Sequence, residues 1–390
     1  MTQVATGLEV FKASAWKAYR KARVGLLCNP ASVDSGFRPA ARVVAQALGG
    51  GLRALFGPQH GYGGEDQDNM VETEHGYDAS LRVPVFSLYA ENREPLPEML
   101  ETMDVLMVDL QDVGTRVYTF ASTMLHCMQA ASRSGRAVVV LDRPNPLGGL
   151  RVEGNRLAPD MHSFVGPAPL PMRHGLTMGE LAVFFQKTLD VDVDLEVVRM
   201  EGWRRHMFWR DTGLPWVMPS PNMPSPETAA VYPGQVLWEG TNVSEGRGTC
   251  RPFELFGAPF FHPGRVLERM PPEAMEGAVL RPASFRPTFH KWADDLCRGL
   301  FIHVLDEEAY RPYFASVALL SALLADAGEG LAWKEPPYEY EYERLPIDLI
   351  FGDSRIRKSL ERGVDPREIR EGWRGDEDAF QALRDPFLLY

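Results

Sequence analysis

Cysteine is scarce: the 390 residues hold four, Cys28, Cys127, Cys250 and Cys297, and no C-x-x-C pair. That spacing excludes a zinc knuckle or a thioredoxin-type motif, so buried free thiols are expected. Positive charge is short as well. Against 53 Asp and Glu stand 41 Lys and Arg, a net charge of -12, which argues against a nucleic acid or anionic membrane partner. A small anionic substrate needs only a local Arg or His and stays open. No stretch approaches the roughly 20 apolar residues of a membrane span. The N-terminal residues lack the unbroken apolar segment of a secretory signal, so a cytoplasmic protein is expected.

The common cofactor and catalytic fingerprints are missing too. "CNPASVD" follows the first strand where a dinucleotide site would carry G-x-G-x-x-G. No P-loop, G-x-S-x-G elbow or H-E-x-x-H occurs. His60, His75 and nearby carboxylates could be assembled into a metal site, but their spacing matches no established ligand pattern. No cofactor is expected.

What is there is a regular alternation. Strands are expected at residues 23–27, 52–57, 83–89, 104–110 and 137–142, with helices at 40–48, 96–103 and 119–135 between them. This rhythm predicts right-handed βαβ units and a parallel sheet covered on both faces. A helix at 177–189, opened by a Thr177…Glu180 capping box, and a strand at 194–200 continue it. The Pro-rich segment 214–234 is the best boundary, because 390 residues exceed the roughly 250–300 at which single cores stop growing. The expected fold is a Rossmann-like α/β domain without a nucleotide fingerprint over residues 1–230. A smaller α/β domain over 231–390 follows it. That second part has a strand at 300–306, an apolar helix at 314–327 and a charged amphipathic helix at the end.

In open α/β sheets, ligands bind beyond the carboxyl ends of the strands. The polar residues there are Asn29; Gln59 and His60; Gln111, Asp112, Arg116 and Tyr118; and Asp142, Arg143 and Asn145. Their convergence predicts that the edge bearing His60, Asp112 and Asp142 floors the main pocket. Each residue also has a plainer reading. Asp112 and Asp142 can serve as turn residues or caps, Arg116 and Arg143 can pair with them, and His60 can anchor a loop. His174 fits a loop anchor and a substrate donor equally. A lining rich in carboxylates, amides and arginines suits a polyhydroxylated substrate carrying an acid group.

Longer motifs then converge. "LFGPQHGYGG", "SLYAENREPLPEML", "VDLQDVGTRVYT", "VVLDRPNPLGG", "SFVGPAPLPMRHGLTMGELA", "PSPNMPSPETAAVYPG" and "EGTNVSEGRGTCRPFE" stand in family order. From about Val24 to Tyr390 the chain resembles the exo-β-N-acetylmuramidases, peptidoglycan-degrading glycosidases long labelled a domain of unknown function. The resemblance implies a cleft between two domains. It also implies release of N-acetylmuramic acid from the non-reducing ends of muropeptides or disaccharides. One departure matters: Gln59 and Gly63 stand where the commoner family loop has Glu and Arg. Glutamine has no titrating proton, whereas the same loop keeps Glu65, Asp66, Asp68 and Glu72. Either the acid has moved along the loop or this chain binds without cutting.

Glycoside hydrolysis needs a proton donor and a carboxylate or acetamido group at the anomeric side. The acid/base pair is sought among Asp68, Glu72 and Asp112, with His60 and Gln59 on sugar hydroxyls or the acetamido group. Arg116, Arg143 and Arg247 are candidates for the lactyl carboxylate, which a guanidinium fork matches. Glu239 and Glu245 are expected to close the cleft from the second domain or to brace its loops. Asn29, Gln111, Tyr118, Asp142, Asn145, His174 and Asn222 complete the expected substrate set. A non-catalytic muropeptide-binding protein and a hydrolase of another amino-sugar glycoside are the competing readings.

Overall fold

The structure is a computed structural model and describes residues 3–68 and 70–390. Of the acid-rich loop, Asn69 therefore lies outside the described residues. Seven strands form one sheet: β1 (Val24–Cys28), β2 (Leu52–Gly57), β3 (Gly76–Asp78), β4 (Val83–Ser87), β5 (Val105–Asp109), β6 (Ala137–Leu141) and β7 (Leu195–Val198). Their order is β3-β4-β2-β1-β5-β6-β7, and all pairs are parallel except β3 with β4. The order reverses between β1 and β5, the Rossmann-like arrangement expected from the alternating pattern.

Alternation along each strand sorts its side chains to two cores. Leu106 and Val108 of β5 join Val138 and Val140 of β6 under the helices Phe120–Arg133 and Met178–Thr188. Met107 and Val139 point the other way, into a core shared with the helix Ala40–Leu48 and with Leu8 and Phe11 near the N-terminus. A strand buried on both faces must be apolar throughout, which is why "VLMVD" reads as a continuous run. The capping box of Thr177 and Glu180 is present.

The second segment was only partly anticipated. Its three strands, β8 (Leu255–Ala258), β9 (Ala278–Phe285) and β10 (Cys297–Val304), form an antiparallel sheet in the order β8-β10-β9. Helices Pro226–Gln235 and Pro263–Glu268 pack against it, and Pro312–Ala327 lies against both of these and against Pro366–Arg384. The Pro-rich stretch expected as the boundary contains a helix. Ser225 caps this helix, Pro226–Gln235, whose residues from Thr228 onward are buried. The N-terminal residues 7–19, for which no element was expected, are helical. Among the described residues no helix is long and apolar enough to cross a membrane.

Candidate active site

Beyond the carboxyl end of β2 the chain turns sharply. Gly57 sits so close to the next turn that a Cβ there would lie 2.7 Å from the Tyr62 amide. His60 and Gly61 follow with φ of 73° and 84°, two left-handed residues in succession, a conformation most side chains resist. This reversal carries Gln59 inward to a narrow pocket with a cavity volume of about 30 Å³. Gln59, His60, Tyr118 and Thr119 line it from the sheet side, Ser220, Asn222 and Met223 from the Pro-rich stretch, and Glu239, Arg247, Tyr338 and Glu339 from the second segment. An adjoining hollow shares Glu239, Arg247 and Tyr338 and adds Asp68, Glu245, His290 and Lys334. Together they make an inner chamber and its mouth.

Gln59 is the hub of the inner chamber. Its Nε2 donates to Tyr89 Oη at 3.1 Å and to Glu339 Oε1 at 2.9 Å, and its Oε1 accepts from the Thr119 hydroxyl. Tyr89 Oη donates to Glu339 Oε2 at 2.6 Å and accepts from the Met70 amide at 3.1 Å. The amide is thus oriented by its neighbours, with nitrogen toward the carboxyl. Burial pushes the Glu339 carboxyl above its ordinary range, against the opposing pull of the Tyr89 and Gln59 hydrogen bonds.

His60 Nδ1 lies 2.6 Å from the Asp66 carbonyl. A carbonyl can only accept, so Nδ1 carries the proton and Nε2 is left as an acceptor. Burial lowers the imidazole to about 4, which keeps the ring neutral at pH 7.

Arg247 pins the opposite wall. It reaches Glu239 Oε1 at 2.7 Å, Glu245 Oε1 at 3.0 Å and the Gln67 carbonyl at 2.9 Å. Tyr338 Oη donates to Glu239 Oε2 at 2.7 Å. Burial alone would raise Glu245, but Lys291, Arg247 and His290 draw it down to about 2, with Lys291 Nζ 2.8 Å away. The Gln67 carbonyl also accepts from Asn222 Nδ2 at 2.9 Å. The acid-rich loop is therefore held to the second segment through its backbone. Asp68 is half exposed at the mouth, 3.6 Å from His290 Nε2.

The structure brings together Gln59, His60, Asp68, Tyr118, Asn222, Glu239, Glu245 and Arg247 of the expected set. The rest lie elsewhere. Glu72 is exposed and borders a separate hollow on the outer side of its loop. Asp112 is buried beside His174 at 3.8 Å and accepts from the Gly114 amide at 2.6 Å. Asp142 accepts from Thr177 Oγ1, the Gly179 amide and Tyr390 Oη at 2.7–2.8 Å. Of the expected pocket floor of His60, Asp112 and Asp142, only His60 lines the chamber.

The remaining residues are occupied in bracing the fold. Arg116 donates to the carbonyls of Asn155, Leu170 and Ile350 at 2.7–3.2 Å, so it ties the sheet to the second segment. Arg143 pairs with Asp109 and donates to the Val33 carbonyl, and with Gln111 it borders another hollow. Asn29 holds the Pro219 carbonyl, Asn145 the Leu176 carbonyl, and His174 Nδ1 accepts from the Leu176 amide. His75 Nδ1 accepts from the Ser87 amide. Among the described residues no group of three His, Cys, Asp or Glu could hold a metal ion. Sequence reasoning missed Glu339, Tyr338 and Tyr89. The one available signal was "YEYEYE" before Arg-Leu-Pro, an acid–aromatic alternation.

Comparison with known proteins decides the family. The sequence model described as "Exo-beta-N-acetylmuramidase NamZ, N-terminal" matches residues 24–227, and its C-terminal counterpart matches 230–390. The chain belongs to this family. It is 39% identical to the peptidoglycan β-N-acetylmuramidase NamZ of Bacillus subtilis (strain 168), over 100% of this chain and 92% of that protein. Two solved DUF1343 family proteins of Bacteroides fragilis NCTC 9343 share the fold. One superposes with a TM-score of 0.88 at 32% identity over the whole of both chains. The other gives 0.78 at 27%, over 100% of this chain and 99% of that one.

Proposed function

We propose that this enzyme is an exo-acting β-N-acetylmuramidase that releases N-acetylmuramic acid from the non-reducing ends of peptidoglycan fragments. The observation that carries the reading is the pocket lined by both segments of a chain that matches the exo-muramidase family over residues 24–227 and 230–390. The division near residue 230 gives the sheet domain one wall and the smaller domain the other.

Gln59, Asn222 and Tyr118 supply amide and hydroxyl groups for sugar hydroxyls and the acetamido group, and His60 offers Nε2 as an acceptor. Of the three candidate guanidinium groups only Arg247 lines the pocket, already paired with Glu239 and Glu245, so a lactyl carboxylate would have to share it with them. Arg116 and Arg143 lie away from the pocket, bound to carbonyls and to Asp109. Lys334 stands at the mouth as a second cation. Of the three carboxyls expected to act as acid and base, Asp68 alone borders the cleft. Water attack at the anomeric carbon and protonation of the leaving oxygen then proceed in this pocket between the two segments.

The test is turnover of matched chromogenic glycosides of N-acetylmuramic acid and N-acetylglucosamine. The lactyl contact is charge-assisted, so the muramic acid compound is expected to be hydrolysed at least ~10-fold faster, the tenfold that about 1.4 kcal/mol supports. Equal rates contradict the lactyl contact, and no turnover of either contradicts the enzyme. The proposal includes the expected cytoplasmic location, which cell fractionation tests.

A further inference from the structure

Two carboxyl side chains line the inner chamber, Glu239 and Glu339, and their surroundings differ in kind. Glu239 is committed to the Arg247 guanidinium and the Tyr338 hydroxyl. Glu339 is 5% exposed and its hydrogen bonds come from neutral donors, Gln59 Nε2 and Tyr89 Oη, while the charges of Glu239 and Arg93 act on it in opposite senses, the first favouring and the second opposing its protonation. These bonds take two of the roughly four acceptor positions of a carboxyl, so an oxygen can carry a proton without breaking either. A cationic partner would favour loss of that proton, whereas a neutral amide and a phenol can hold the group in place in both states.

We infer that Glu339 is the catalytic acid of this chain and that Gln59 and Tyr89 are the residues that position it. In the cleavage step the Glu339 proton passes to the glycosidic oxygen as the anomeric C–O bond breaks. The electron pair of that bond stays on the departing alcohol. Water supplies the new oxygen at the anomeric carbon, and the proton it loses makes good the one Glu339 gave. Two carboxyls with different neighbours in one chamber is the arrangement by which acid and carboxylate roles separate.

Gln59 then has a defined task. It cannot itself titrate, but its amide fixes the Glu339 side chain, and Thr119 fixes the amide. A carboxylate at position 59 would face Glu339 across the present 2.9 Å contact, where two such groups cannot both ionise freely and share a proton.

This inference rests on the muramidase reading, and the experiment separates the two. Wild type and Glu339→Gln are assayed on a natural disaccharide ending in N-acetylmuramic acid and on its 2,4-dinitrophenyl glycoside. The first leaving group needs a proton and the second does not. The expected result is a kcat loss of at least ~100-fold on the disaccharide and of less than about tenfold on the dinitrophenyl compound, with the Kd for free N-acetylmuramic acid unchanged. An equal loss on both substrates, or none, overturns the assignment while leaving the muramidase reading intact. A wild type inert toward both substrates overturns both. Should Glu339→Gln fail to fold, Gln59→Glu gives the answer. Its alkaline activity limit is expected to rise by at least ~1 pH unit, and an unshifted profile overturns the assignment.

Discussion

Two polar sets lie near the carboxyl edge of the same sheet, and they differ in what their hydrogen bonds do. Asp109, Arg143, Asp142, Asn145, Asp112 and His174 form a belt whose bonds run mainly to one another, to loop backbone and to Tyr390. Gln59, His60, Asn222, Glu239, Arg247 and Glu339 also bond among themselves and their loops, but they face a chamber. Both sets are buried, and both mix acids with amides and bases. Position at a strand end is therefore insufficient to make a site. A strand-end polar group becomes functional where a second segment leaves a cavity against it, and otherwise it closes the loops that hold the sheet.

The sharpest way to break this distinction is to damage each set and read activity and stability separately. Glu339→Gln should cost at least ~100-fold in kcat on the disaccharide with little change in melting temperature. Arg143→Met should do the reverse. It leaves the Asp109 carboxylate buried without its guanidinium, a loss of about 3–5 kcal/mol in unfolding free energy, while the molecules that remain folded keep their kcat. If Arg143→Met abolished turnover in folded protein, the belt would be part of the site.

A smaller effect is expected at Asp112, and it depends on pH. Burial raises its carboxyl from 3.8 to about 7. The folded chain therefore holds a proton that the unfolded chain has released between those values. The stability this group contributes is fully present below about 3.8 and is lost as pH rises through about 7. Asp112→Asn should remove that loss and gain up to about 3 kcal/mol relative to wild type between pH 5 and pH 8, at roughly 1.4 kcal/mol per unit. His174, lowered to about 3 mainly by burial, acts in the opposite sense: its contribution falls as pH drops below 6.5. The comparison must therefore be made against wild type at each pH, by urea titration. A wild-type-minus-variant difference flat in pH would show that Asp112 is ionised in the fold.

The smallest effect is expected at Glu72. It is exposed on the outer side of the acid-rich loop, so Glu72→Gln should alter kcat/KM less than about threefold, within the ±0.5 kcal/mol typical of surface changes. Asp68→Asn, at the mouth beside His290, should fall between this and Glu339→Gln. A Glu72 effect as large as that of Glu339 would mean that the loop closes over the substrate in a different arrangement.

The sheet was legible because its strands announce themselves locally. Leu106–Val108 is apolar on both faces, and an amphipathic helix follows each such run at short range. Gln59 and His60 were legible for a related reason, since the glycine-rich interruption after Leu55–Phe56 marks a loop that has to turn sharply. Arg116 was misjudged because a guanidinium binding three carbonyls and one binding a carboxylate have the same sequence signature. Glu339 was missed because its partner Gln59 is 280 residues away, and nothing local distinguishes it from Glu341 or Glu343, which remain near the surface. Antiparallel strands β8 and β9 were missed because their outward residues break the apolar run.

The most direct test is the structure of the Glu339→Gln protein with an uncleaved disaccharide ending in N-acetylmuramic acid. The muramic acid ring should occupy the inner chamber, with the glycosidic oxygen within hydrogen-bond reach of residue 339, about 2.6–3.2 Å, and the lactyl carboxylate toward Arg247. A sugar lodged at the Asp112–Asp142 edge, or a glycosidic oxygen out of reach of residue 339 and against Asp68, would contradict it.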